Sequence, residues 1–205
     1  MRTLAKAYPE ARTALRHESP YQLLIATILS AQCTDERVNR VTSVLFREHP
    51  DPAAILDLSQ EELEDYIRPC GLHRNKARSI LAASRRLEEE FAGRVPEDRE
   101  ALMSLPGVGR KTANVVLTSV HRQQAIAVDT HVFRVSRRLG LARGDTPLRV
   151  EEELMDVLPK DEWAATHHRL IFHGRAICRA RRPLCERCPL TSWCDWYAEN
   201  VAGAA

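Results

Sequence analysis

Apolar residues recur at three- and four-residue intervals along most of this chain, a spacing that predicts helices and offers no convincing strand. The stretch SPYQLLIATILSAQCTDERVNRVTSVLFREHP opens on Ser19-Pro20, a favourable helix start. It places Leu24, Ile25, Ile28 and Leu29, then Val38, Val41, Val44 and Leu45, at helical spacing, so two helices are expected to meet near Gln32 to Asp35. SQEELEDYIRPC carries Ser59 three residues before Glu62, a capping box, and stops at Pro69 and Gly71. NKARSILAASRRLEEEF and DREALMSL read as amphipathic helices separated by Gly93 and Pro96. RKTANVVLTSV, DTHVFRVSRRLGL, PLRVEEELMDVLP and EWAATHHRLIFHGRAIC continue the pattern. The fold class expected is all-α.

Composition narrows this picture only modestly. A chain of 205 residues can bury a real core as one domain or two small ones. With 44% hydrophobic and 28% charged residues, and no apolar run near the ~18 residues of a membrane span, a soluble globular protein without a membrane role is expected. The opening MRTLAKAYPEARTALRHESP lacks the apolar core of a signal peptide, so a cytoplasmic location and a reducing environment are expected. The net charge of +2 is small, but between Ser104 and Arg143 seven Lys/Arg face a single acid, Asp129. That excess suits a polyanion such as nucleic acid, with a solvated basic face as the plainer explanation.

The basic stretch begins with LPGVGRKTANVV, Leu105 to Val116. Glycines at 107 and 109 allow backbone angles barred to other residues, and the helix that follows starts with unpaired N–H groups. Such a turn can seat a DNA phosphate without reading sequence. A fainter echo, PCGLHRNKA from Pro69 to Ala77, has the same order of Pro/Gly break, Arg, Lys and helix. The choice of lysine at 111 is informative, because the chain has 26 arginines and only four lysines, Lys6, Lys76, Lys111 and Lys160. Arginine keeps its proton in a protein, whereas a deprotonated lysine is a nucleophile able to form a Schiff base. A single phosphate contact would also suit Lys111. Downstream, Asp129 precedes a helix with apolar Val132, Val135 and Leu139, a natural N-cap. Its carboxylate could also take a lysine proton or stabilise positive charge building on a sugar ring.

CRARRPLCERCPLTSWC places Cys178, Cys185, Cys188 and Cys194 in a C-x6-C-x2-C-x5-C pattern. In a reducing compartment four cysteines this close form a metal site more readily than two disulfides, and thiolates alone suit zinc or an iron–sulfur cluster. Arg179, Arg181 and Arg182 lie between the first two, a basic loop that could reach a phosphate backbone. Cys33 and Cys70 fall outside the set and are expected to be ordinary buried residues.

The hairpin LPGVGRKTANVV, the stretch VDTHVFRVSRRLGL and the cysteine spacing together resemble endonuclease III, the iron–sulfur DNA glycosylase/lyase family of the helix-hairpin-helix superfamily. The likeness runs from about Ser19 to Cys194. It implies two helical modules flanking a DNA-binding cleft: a six-helix module over 15–123, and a cluster module built from 1–14 and 124–205. It implies excision of oxidised pyrimidines such as thymine glycol from damaged double-stranded DNA, then strand cleavage by β-elimination, carried out by a monomer. By matching position, Lys111 would be the nucleophile and Asp129 its helper, while Cys178, Cys185, Cys188 and Cys194 would hold a 4Fe-4S cluster. Gln32 and Leu72 would enter the duplex to fill the gap left by an extruded base, and Gly107, Val108, Gly109, Arg110, Arg179, Arg181 and Arg182 would contact DNA. Cys33 stands where alanine is usual in the family. Rival readings are a monofunctional adenine glycosylase, against which Lys111 argues, a non-catalytic DNA-binding module, and an electron carrier that would leave the basic hairpin unexplained.

Overall fold

The computed structural model describes residues 1–202, whose regular elements are all helices, with no strand among them. Two compact units emerge: residues 13–122, and residues 1–12 together with the chain from 123 onward. The helices in chain order are α1 (Arg2–Ala7), α2 (Pro20–Leu29), α3 (Asp35–Glu48), α4 (Pro52–Leu56), α5 (Gln60–Ile67), α6 (His73–Phe91), α7 (Arg99–Ser104), α8 (Arg110–Ser119), α9 (Thr130–Arg138), α10 (Pro147–Val157), α11 (Trp163–Ala176) and α12 (Asp195–Asn200). None of the described helices is long and apolar enough to cross a membrane.

In the 13–122 unit local signals set the helix starts. Ser19 accepts from the Gln22 amide with Pro20 in the first turn of α2, and Thr34 accepts from Arg37 at the start of α3. Ser59 and Glu62 form the expected capping box on α5. The helix α4 was not expected, although Asp51 caps it and Pro52 occupies its first turn; five residues are too short for periodicity to register. Every residue of α2 from Tyr21 to Leu29 is buried, so α2 is a central helix rather than an amphipathic one. Around it pack Val38, Leu45, Ile55, Leu63, Ile67, Ile80, Leu87, Leu102 and Val116. Each such side chain stabilises the unit by roughly 1.5–3 kcal/mol before entropy is counted. Within this core the buried hydroxyls of Tyr21 and Ser84 satisfy each other, Oη to Oγ at 2.6 Å.

The other unit is built on α9 packed against α11, with α1 lying on α11 and α10 against α9. Its core joins Leu4 of α1 to Val132, Val135, Val150, Leu154 and Leu170, and the buried run Ala125–Val128 leads into α9. Gly174 on α11 lets α9 approach closely, since a Cβ there would meet His131 Cβ at 2.9 Å. The chain then turns through short 3-10 turns at Cys185–Arg187 and Thr191–Trp193 before α12.

Candidate active site and metal centre

The hairpin joins α7 to α8. Gly107 has φ +80°, and a Cβ on it would meet Ser79 Cβ of α6 at 2.7 Å, so both backbone and packing demand glycine. Gly109 differs from expectation. Its φ of −90° and ψ of 174° are open to any residue, and a Cβ there would meet nothing within 4 Å. It is nevertheless the N-cap of α8, a position where serine or aspartate normally supplies a capping oxygen, and no side chain caps this helix. The glycine therefore leaves the positive end of α8 without a capping side chain.

Val108 also departs from the sequence reading. Its side chain is only 6% exposed and its amide is bonded to the Leu105 carbonyl, so it anchors the hairpin to the core and has no donor to offer outward. Lys111 stands exposed in the first turn of α8, with Arg110 partly exposed beside it.

Gln32 and Leu72 lie in the same unit, on the α2–α3 loop and in the turn before α6, and both are exposed. Leu72 is 56% exposed, too open for a core role. Both adopt left-handed backbone, with φ of 54° and 49°, a conformation that costs a side-chain-bearing residue ~1–2 kcal/mol. Arg182 shares this conformation at φ 51°. Ala92 does so only as the residue that ends α6. Arg122, which the sequence did not mark as DNA-facing, also adopts this conformation at φ 53°.

Behind both loops lies Lys76, which sequence reasoning passed over. It is 5% exposed, and its Nζ donates to the Leu29 carbonyl at 2.8 Å and to the Cys70 carbonyl at 2.9 Å. The buried ammonium thus ties the end of α2 to the turn before Leu72; burial draws its pKa down. No sequence pattern signals this, because both of its acceptors are backbone carbonyls.

In the other unit Asp129 caps α9: its Oδ1 accepts from the amides of His131 and Val132, both at 2.8 Å. That capping uses one carboxylate oxygen, and the residue is partly exposed.

Cys178, Cys185, Cys188 and Cys194 line one pocket with His173, Pro183 and Trp196. A donor set of four thiols suits an iron–sulfur cluster or zinc. Burial comes first and the charge of Cys178 adds to it in pushing the Cys185, Cys188 and Cys194 thiols up. Thiolates crowded in this way need metal charge to coexist. Backbone amides already favour thiolate sulfur: that of Leu190 bonds Cys188, and those of Trp196 and Tyr197 bond Cys194.

Two arginines of α9 organise this loop. Arg138 Nη1 lies 3.4 Å from Cys178 Sγ and donates to the Arg179 carbonyl at 2.8 Å, its Nη2 donates to the Ala180 carbonyl at 3.1 Å, and its guanidinium stacks over Trp196 at 4.7 Å. Arg134 reaches the carbonyls of Cys178 and Gly174 at 3.1 and 3.0 Å. These residues appeared in sequence only as part of a basic excess. With the loop held this way, Arg179, Arg181 and Arg182 all face solvent. Cys70 is buried as expected, whereas Cys33 is only partly so, because it lies at the rim of the α2–α3 loop.

Comparison with known proteins agrees with this geometry. Residues 25–160 match the model for the HhH-GPD superfamily base excision DNA repair proteins, and residues 178–194 match the iron-sulfur binding domain of endonuclease III. The endonuclease III of Bacillus subtilis (strain 168) is 51% identical over 188 residues, 91% of this chain and 86% of the relative. That of Escherichia coli (strain K12) is 47% identical over 193 residues, 94% and 91% of the two chains. Among solved structures, a trapped endonuclease III-DNA covalent intermediate superimposes with a TM-score of 0.93 at 50% identity, covering 97% of this chain and 93% of that one. The chain belongs to the endonuclease III family within the HhH-GPD superfamily of base excision DNA repair proteins, and it is a DNA glycosylase and abasic-site lyase that carries a 4Fe-4S cluster.

Proposed function

We propose that this protein removes oxidised pyrimidines, thymine glycol among them, from duplex DNA and then cleaves the abasic site by β-elimination through a Schiff base on Lys111. The observation that carries this reading is an exposed lysine in the first turn of α8, over an N-cap position kept open by Gly109. A phosphate seated on the hairpin amides would bring the adjacent sugar to Lys111. The unprotonated amine attacks C1′ and the damaged base departs. Ring opening yields an iminium on Nζ, which acidifies the C2′ proton; loss of that proton expels the 3′ phosphate. Asp129 keeps one oxygen in the α9 cap, and the other serves to accept the lysine proton or to stabilise the charge that builds on the sugar.

Gln32 and Leu72 would occupy the space left by the extruded nucleotide, and Gly107, Gly109, Arg110, Arg179, Arg181 and Arg182 would hold phosphates. Cys178, Cys185, Cys188 and Cys194 would ligate the cluster, whose place is to fold the arginine-bearing loop. The modules we assign are 15–123 and 1–14 with 124–205, acting as a monomer on damaged double-stranded DNA.

Borohydride trapping on duplexes carrying thymine glycol or an abasic site tests the central step. The intact protein should give a covalent adduct on both, and Lys111→Ala should give none while still binding damaged duplex. Damage-specific binding without any adduct from the intact protein would reduce Lys111 to a phosphate contact.

A further inference from the structure

His173, in the last turn of α11, is 1% exposed and takes no part in the proposed reaction. Its main chain and its side chain both meet the cysteine loop. The carbonyl accepts from the Cys178 amide at 2.9 Å, and Nε2 lies 3.6 Å from Cys188 Sγ, within reach of a hydrogen bond to sulfur. The other ring nitrogen, Nδ1, lies 3.1 Å from Tyr8 Oη. Tyr8 is the residue that ends α1, and its ring packs beside Phe172 as well as His173. The helix before it is held in place by buried Leu4 and by Met1, whose Sδ accepts from Thr166 Oγ1 of α11 at 3.5 Å.

Metal ligation would fix the direction of this chain of contacts. A cysteine bound to metal is a thiolate without a proton, so Cys188 Sγ can only accept. Nε2 must then carry the ring proton. In the neutral imidazole, the form that burial favours, Nδ1 is left as an acceptor. The Tyr8 hydroxyl therefore donates to Nδ1, and in doing so holds the one tautomer that can donate to sulfur.

We propose that Tyr8 and His173 are positioning residues for the iron–sulfur centre: Tyr8 Oη–H donates to His173 Nδ1, His173 Nε2–H donates to Cys188 Sγ, and this bond raises the reduction potential of the cluster. Hydrogen bonds to ligand sulfur are one of the levers that set such potentials, because they offset negative charge, and the reduced state places more of that charge on the sulfurs. The inference rests on the reading of Cys188 as a cluster ligand. It gives the N-terminal helix a task that no sequence pattern marks, since one hydroxyl at its end orients a ring on α11.

The test is voltammetry on the full-length, cluster-loaded protein, with iron content and visible absorption showing equal loading. His173→Phe keeps a ring and removes the donor, so reduction should become several-fold less favourable, up to about tenfold, or ~59 mV towards lower potential for one electron. His173→Gln restores an N–H and should recover most of the shift, which packing alone would not produce. Tyr8→Phe should move the potential in the same direction by less, and should add nothing in the His173→Phe background, since the two side chains act through one bond. Unchanged potentials in His173→Phe and Tyr8→Phe overturn the proposal; if His173→Phe takes up no cluster, Tyr8→Phe decides by the same criterion. Cys188→Ser separates this failure from that of the ligand reading. Unaltered iron content and spectrum in that variant remove Cys188 from the ligand set, whereas an altered spectrum beside unshifted potentials in the other two overturns the hydrogen-bond inference alone.

Discussion

At the scale of single residues, Gly109 carries the most unusual information. Glycine is a weaker N-cap than serine or aspartate, and nothing inside the protein requires it here. If the open cap at Gly109 seats a phosphate, Gly109→Asp separates folding from binding. Aspartate would cap α8 and complement its dipole, so urea unfolding should change by no more than about 0.5 kcal/mol, in the stabilising direction. The same carboxylate would occupy the phosphate seat, so affinity for an abasic-analogue duplex, read by fluorescence polarisation, should fall about tenfold, equivalent to ~1.4 kcal/mol. Unchanged affinity would remove the hairpin from the DNA contact set. The sequence placed this glycine in the right turn for the wrong reason. Conformational freedom is a property of φ, and only the folded backbone distinguishes Gly107 at +80° from its neighbour.

At the scale of elements, the α2–α3 loop and the turn before α6 depend on one side chain. Lys76 holds a carbonyl of each through a single buried ammonium. Lys76→Met would keep the apolar stem while leaving two carbonyls without their donor, which should destabilise the 13–122 unit by roughly 1–3 kcal/mol. The same change should speed hydrogen exchange at Ser30–Thr34 and Gly71–Arg74 well ahead of the core amides of α2. Equal protection in the two proteins would show that the loops hold their shape without the lysine. The helices themselves were legible, because caps and periodicity are local: the α5 capping box and the α9 cap at Asp129 stand where the sequence put them. The short helices α1, α4 and α12 were not, although α7, equally short, was marked by the Gly93 and Pro96 break before it.

At the scale of the whole molecule, the two units should respond differently to acid. His168 on α11 is pushed down to about 4 by burial, and His131 on α9 is also lowered, chiefly by burial. Above about pH 6.5 these rings are neutral whether folded or unfolded, and their contribution is intact. As pH falls the unfolded chain takes up protons first, so stability declines from about 6.5 down to the folded values. For His168 the loss reaches roughly 2–3 kcal/mol near pH 4, at ~1.4 kcal/mol per pKa unit. Melting temperatures measured from pH 7.5 to 4.5 should fall more steeply for the native protein than for His168→Leu. Parallel curves would show that this ring is not held neutral.

The sequence by itself determined the helical class, the position of the hairpin, the singular lysine, the cap at Asp129 and the four-cysteine pattern, because each is written in adjacent residues or in fixed short spacings. Tertiary structure alone decided which glycine is strained and which is merely vacant, that Val108 turns into the core, and that Lys76 joins two loops. It also decided that Arg134 and Arg138 shape the cysteine loop. The physical reason is range. Caps and helical periods act over three or four residues, whereas these contacts join positions 6 to 47 residues apart, and whether they form depends on how the helices pack.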